Sequence, residues 1–118
     1  MKPSQILSLS VQKFTSVEEA TKDAKHEELV YIDLSRNYLS KISSNELKFT
    51  NLKILILNTN SLTEIPPLSN LINLGELHLA SNSITSINDE LKNCPKLKIL
   101  DLKRESQELH WSYLFLNF

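Results

Sequence analysis

Glycine is nearly missing from this chain: Gly75 is the only one in 118 residues. A Gly-rich phosphate-cradling loop needs several glycines and is excluded, so side-chain stacking rather than glycine turns has to set the bends. Cysteine is as scarce. Cys94 alone permits no internal disulfide and argues for a reducing compartment, cytoplasm first, with nucleus as the alternative. No stretch approaches the run of about 18 apolar residues that a membrane-spanning helix needs. The start, Lys2 to Gln5 followed by an apolar run broken at Ser8 and Ser10, is too short and too polar for a secretory signal. Charge is not one-sided either: 13 basic and 14 acidic residues leave a net −1, without the basic face that nucleic acid usually demands.

What is present is a repeat. Leu29, Ile32, Leu34, Asn37 and Leu39 are matched by Leu52, Leu55, Leu57, Asn60 and Leu62, and again by Leu74, Leu77, Leu79, Asn82 and Ile84. The pattern LxxLxLxxNxL begins a fourth time at Leu97, Leu100 and Leu102. Its equivalent leucines Leu34, Leu57, Leu79 and Leu102 are spaced by 23, 22 and 23 residues. A fixed period of this size signals stacked units, none of which can bury its apolar face alone. Within LxxLxL the alternation predicts a short strand: Leu55 and Leu57 inward, Ile54, Ile56 and Asn58 outward. The return half of each unit is carried by Ile42, Leu47 and Phe49, then Ile65, Leu68 and Leu71, then Ile87, Leu91 and Cys94. Pro66 and Pro67 favour an extended return in the second unit, and residues 88–93 read as a helical turn closed by Pro95. Cys94, at the position of Phe49 and Leu71, reads as a buried thiol.

This pattern resembles the leucine-rich repeat family, strongly over residues 29–102 and weakly over 6–28. The resemblance implies an α/β solenoid: a right-handed superhelix with a curved parallel sheet on its concave side and short helical or extended returns on the convex side. It also implies that Asn37, Asn60 and Asn82 form a ladder bonding the backbone of adjacent repeats. The 22–23-residue period and the I/L-xx-I return look like the intracellular subclass, which includes phosphatase regulatory subunits and axonemal dynein light chains.

The ends are less regular. Counting back one period places Ile6, Leu9 and Val11 on a divergent first strand, with the Asn position at Phe14 and outward positions at Ser8, Ser10, Gln12 and Lys13. Ser16 followed by Val17, Glu18 and Glu19 reads as a capped helix start. The chain thus divides into an N-terminal capping or divergent repeat (1–28), the repeats proper (29–105) and an irregular C-terminal cap or truncated repeat (106–118). In the last of these, Trp111, Tyr113, Leu114, Phe115, Leu116 and Phe118 form either a cap over Leu100 and Leu102 or an apolar tail. The expected state is a monomer unless this tail mediates dimerisation.

With the first Leu as position one, the outward strand positions place Tyr31, Ile54, Glu76 and Ile99 in one column and Asp33, Ile56, His78 and Asp101 in the next. Asn58 and Arg36 lie just beyond. An apolar centre (Tyr31, Ile54, Ile56, Ile99) within a polar rim is how protein interfaces are built, although scattered surface isoleucines are also ordinary strand residues. His78 and Asp101, in register on adjacent strands, read as a surface ion pair rather than an acid–base pair, since no nucleophile joins them. His26, His78, His110 and Cys94 fall in different repeats, without the close ligand spacing of a zinc site. The reading is a non-catalytic scaffold or regulatory subunit that binds a protein on its concave face, without cofactor, metal, small-molecule substrate or membrane. The alternatives are a structural fragment of a longer array and an RNA-associated nuclear protein using Lys98, Lys103 and Arg104, which salt-sensitive binding would reveal.

Overall fold

A computed structural model describes residues 1–104, together with the backbone of 111–115. Five short strands, β1 (Ile6–Ser8), β2 (Tyr31–Asp33), β3 (Ile54–Ile56), β4 (Glu76–His78) and β5 (Ile99–Leu102), lie side by side in chain order and parallel. The sheet is open and consists of one strand per repeat. A sixth strand, β6 (Trp111–Phe115), runs antiparallel along β5, with Ile99 opposite Phe115 and Leu100 opposite Leu114. The purely parallel sheet expected from the repeat therefore ends at β5. This strand falls within residues 106–118, the segment expected as an irregular cap or a truncated repeat. The reversal follows from geometry: a short connection from residue 102 to residue 111 suits an antiparallel neighbour, whereas a parallel one needs a long crossover. Residues 105–110 and 116–118, including His110, Leu116 and Phe118, lie outside the described residues.

Each repeat contributes the same side chains to one core. Leu52, Leu55, Leu57, Leu74, Leu77 and Leu100 are fully buried, as are Leu29, Ile32 and Leu34. The return halves close the other side of this layer. Phe49, Leu71 and Cys94 stack at equivalent positions, with Ile42, Leu47, Ile65, Leu68 and Leu91 beside them. Ile87 departs from its counterparts Ile42 and Ile65 and is exposed. There the chain turns into the 3₁₀ helix Asp89–Asn93, whose cap residue Asn88 sends its side-chain amide to the Ile65 carbonyl at 3.0 Å. The returns after β2 and β3 lack helix and run extended or as turns.

The first unit is offset from the expectation. Leu7, not Leu9, pairs with Ile32, so β1 stands 25 residues from β2 (32 minus 7) instead of one standard period. Leu7 and Leu9 pack against the core, whereas Ile6 and Val11, expected inside, are exposed. By the same count Gln12, not Phe14, occupies the Asn position, and Phe14 takes the Leu39 position, where it packs against the core. The reason is burial: the two-residue shift preserves strand alternation and puts Leu7, Leu9 and Phe14 inward. Behind this strand the short helix α1 (Val17–Thr21) starts at Ser16, whose hydroxyl accepts from Glu19 N at 3.1 Å. Its Val17, Ala20 and Thr21 cover the N-terminal end of the core.

After each of the first four strands the chain bends through a left-handed residue at the equivalent position, and the first unit adds a second at Lys13, with φ of 64°. Val11, Arg36, Thr59 and Ser81 have φ of 58°, 57°, 57° and 57°. None is glycine, and two are β-branched, for which this region is strained. The bend persists because each of these residues donates its backbone N–H to the neighbouring repeat: Val11 to Ser35 O, Arg36 to Asn58 O, Thr59 to Ala80 O and Ser81 to Lys103 O, at 2.6–3.2 Å. Strand pairing thus continues past the strands and holds the strained residue in place.

Candidate partner-binding face

Alternation along β1 to β5 leaves the first and third side chains of each on the open face of the sheet. Register then arranges them in two columns. One runs Ile6, Tyr31, Ile54, Glu76, Ile99 and the other Ser8, Asp33, Ile56, His78, Asp101. The corrected offset of β1 matters at this point. Ile6, 41% exposed, joins Tyr31 and Ile54 in an unbroken apolar row across three strands. Sequence reasoning missed it because a standard period aligned Ile6 with a core leucine. Ile56 adjoins this row on β3, and Ile99 stands beyond Glu76.

The polar residues of the face are less free than the pattern suggested. His78 does not pair with Asp101. Its Nε2 lies 3.0 Å from Glu76 Oε1, two residues back on the same strand. Side chains at i and i+2 share a strand face, so Glu76 competes with the cross-strand carboxylate. Asp101 is occupied otherwise: its Oδ1 accepts from Lys103 N at 3.0 Å, as Asp33 Oδ1 accepts from Ser35 N at 2.9 Å. These aspartates shape the turn after the strand and keep one carboxylate oxygen each for other partners. Asn58 Oδ1 accepts from Ala80 N at 2.7 Å and so ties β3 to the next repeat. Arg36 is exposed at the left-handed bend. The basic cluster Lys96, Lys98, Lys103 and Arg104 is divided: the first two precede β5 and the last two follow it. Lys98 and Lys103 are five residues apart, about 16 Å along a strand, and do not form one phosphate-binding patch.

Beneath the face, three asparagines bond the repeats together. Asn82 Oδ1 accepts from Leu62 N at 3.0 Å, and its amide donates to Leu57 O, Leu79 O and Ala80 O at 2.9–3.3 Å. Asn60 does the same toward Leu39 N and Leu34 O, at 3.0 and 3.1 Å. Asn37 Oδ1 takes two donors, Gln12 N and Phe14 N, both at 3.0 Å, while its amide reaches Leu9 O at 3.0 Å. In every case the asparagine satisfies backbone of the repeat before its own.

Other interrepeat bonds were not anticipated. Asn51 and Asn73, each just before the first leucine of its repeat, donate to Glu27 O and Thr50 O at 2.7 Å, forming a second ladder along the edge where the strands begin. On the return side, Glu46 Oε2 accepts from Glu18 N at 3.1 Å and Glu90 Oε1 from Leu68 N at 2.9 Å. The signal was available for the first pair, since Asn stands before Leu in both repeats. The glutamates occupy equivalent places before Leu47 and Leu91.

A family model described as leucine rich repeat matches residues 50–106. With the parallel one-strand-per-repeat sheet, this supports assignment to the leucine-rich repeat family, whose domains generally mediate protein–protein interaction and typically carry no enzymatic activity. A search of curated proteins found no match for the chain. Among the described residues, no helix is long and apolar enough to cross a membrane.

Proposed function

We propose that this protein is a non-catalytic scaffold or regulatory subunit that holds a protein partner on the open face of its sheet, the concave wall of a right-handed coil. One observation carries the reading: Ile6, Tyr31, Ile54 and Ile56 form a contiguous apolar patch on three adjacent strands, rimmed by Asp33, Glu76, His78, Asp101 and Arg36. An apolar centre in a polar rim fits a docking surface, and outward apolar clusters on an open sheet are otherwise a solubility liability. The five parallel strands span about 20 Å, room for a helix or an extended segment and for an interface on the order of 800 Å² per side at most. The period and the lone buried thiol favour the intracellular subclass and a cytoplasmic, nuclear or ciliary setting.

Affinity capture from a reducing extract tests this, with wild type beside Ile54→Asp/Ile56→Asp and both proteins first shown folded and monodisperse. A partner held by wild type and lost in the variant supports the reading. Equal capture by both proteins makes the face inert and sinks it.

A further inference from the structure

The only glycine lies where the fold does not require one. Gly75 has no left-handed φ, and a Cβ placed on it would meet Lys53 O at 3.6 Å and Lys96 O at 4.0 Å, ordinary van der Waals distances. Its equivalents one repeat earlier and later are Lys53 and Lys98, each directly before its strand. Glycine between two lysines leaves the position between β3 and β5 without a side chain. A groove of about 780 Å³ opens over it, lined by Lys53, Lys96, Lys98, Ile54 and Ile99, with Glu76 as its one acid.

The groove is cationic and partly preset. Lys53 and Lys98 flank Gly75 from positions two strand spacings apart, about 10 Å. Lys96 is steered by Asn73, whose Oδ1 accepts from its Nζ at 2.7 Å and whose amide is itself fixed on Thr50 O. Among the described residues, none of the three lysines makes an ion pair, and the carboxylate of Glu76 is engaged by His78. Ile54 and Ile99 belong at once to the groove and to the apolar open face, so the two surfaces are continuous.

We infer that the groove over Gly75 receives an acidic segment of the partner polypeptide. Its carboxylates lie among Lys53, Lys96 and Lys98 while a neighbouring apolar side chain rests on Ile54 and Ile99. The inference builds on the open-face reading and adds the partner's chemistry: acidic and apolar residues adjacent in sequence. Charge complementarity favours this occupant, and the glycine provides the space.

The test is an amide-shift titration of the isotopically labelled full chain with two capped tetrapeptides, one alternating glutamate and leucine, the other lysine and leucine. The acidic peptide should shift the amides of Lys53, Gly75 and Lys98, with affinity falling as salt is added. Lys53→Glu/Lys98→Glu should weaken it about tenfold or more, and Gly75→Leu should block it by filling the groove. Should Gly75→Leu fold poorly, the lysine pair, exposed on the surface, still decides the matter. Equal shifts from the basic peptide, or acidic binding unchanged by Lys53→Glu/Lys98→Glu, would overturn the inference. So would inorganic phosphate binding as tightly as the peptide, which would leave a bare anion site. Ile56→Asp stands outside the groove: loss of a captured partner with retained acidic-peptide binding separates the open face from the groove.

Discussion

The first unit and the central repeats solve the same stacking problem with different means. In the three repeats that begin at Leu29, Leu52 and Leu74, skeleton leucines are sealed and an asparagine follows each strand. In the first unit Leu7 and Leu9 are only partly buried, Gln12 replaces the asparagine, and Gln12 turns its side chain to Ser10 O at 3.3 Å instead of inward. The difference is intelligible once the direction of the ladder is known. Each asparagine serves the repeat before it, so the first unit needs none: Asn37 already closes Gln12 N and Phe14 N. A cap can therefore lose the motif residue without leaving buried backbone unpaired.

That contrast can be broken by substitution. The largest effect should come from the core: Leu55→Ala should cost about 2–5 kcal/mol, while Leu7→Ala at the half-covered end should cost clearly less. Urea unfolding of both measures the gap, and equal costs would erase the distinction between cap and repeat. Next, Asn82→Ala leaves Leu62 N and several carbonyls without their partner, at about 1–3 kcal/mol per orphaned buried group. Gln12→Ala, which removes only an exposed bond, should fall within about 0.5 kcal/mol of wild type. A costly Gln12→Ala would mean that the first unit carries its own ladder.

Two smaller effects sharpen the comparison. Val11 in the first unit and Thr59 in the repeats share the same left-handed bend, so Val11→Asn and Thr59→Asn should each stabilise by about 1 kcal/mol, since asparagine tolerates that region. A gain at only one site would show that the bends are not equivalent. Cys94 has no titratable counterpart at Phe49 or Leu71. Burial, with a smaller contribution from the charge of Glu90, pushes its thiol up to about 11 from 9.0. The unfolded chain loses that proton first, so stability is intact below pH 9 and declines as pH rises toward 11. Cys94→Ala should flatten this part of the profile relative to wild type in pH-dependent urea unfolding.

Much of the fold was legible because it is written in locally repeated chemistry. Leu55, Leu57 and their equivalents alternate with outward residues, and any chain that buries such a pattern must stack it. The open-face columns follow from the same alternation, and Tyr31, Ile54, Ile56 and Ile99 stand where it put them. The unread parts depend on competition between partners that spacing does not rank. Ile6 and Val11 were misassigned because a constant period was extended into a unit two residues longer. His78 was matched to Asp101 by register, yet Glu76 on its own strand holds it.

By itself, then, the sequence determined the buried strand leucines of the repeats, the one-strand-per-repeat architecture and the left-over columns that a partner would meet. Burial of apolar side chains at a fixed period admits no other economical solution. Tertiary structure decided the offset of β1, the antiparallel turn of β6, the left-handed bends at non-glycine residues and the groove over Gly75. Each of these depends on which backbone lies one repeat away and on how closely it approaches, and that distance is a property of the stack rather than of any single segment.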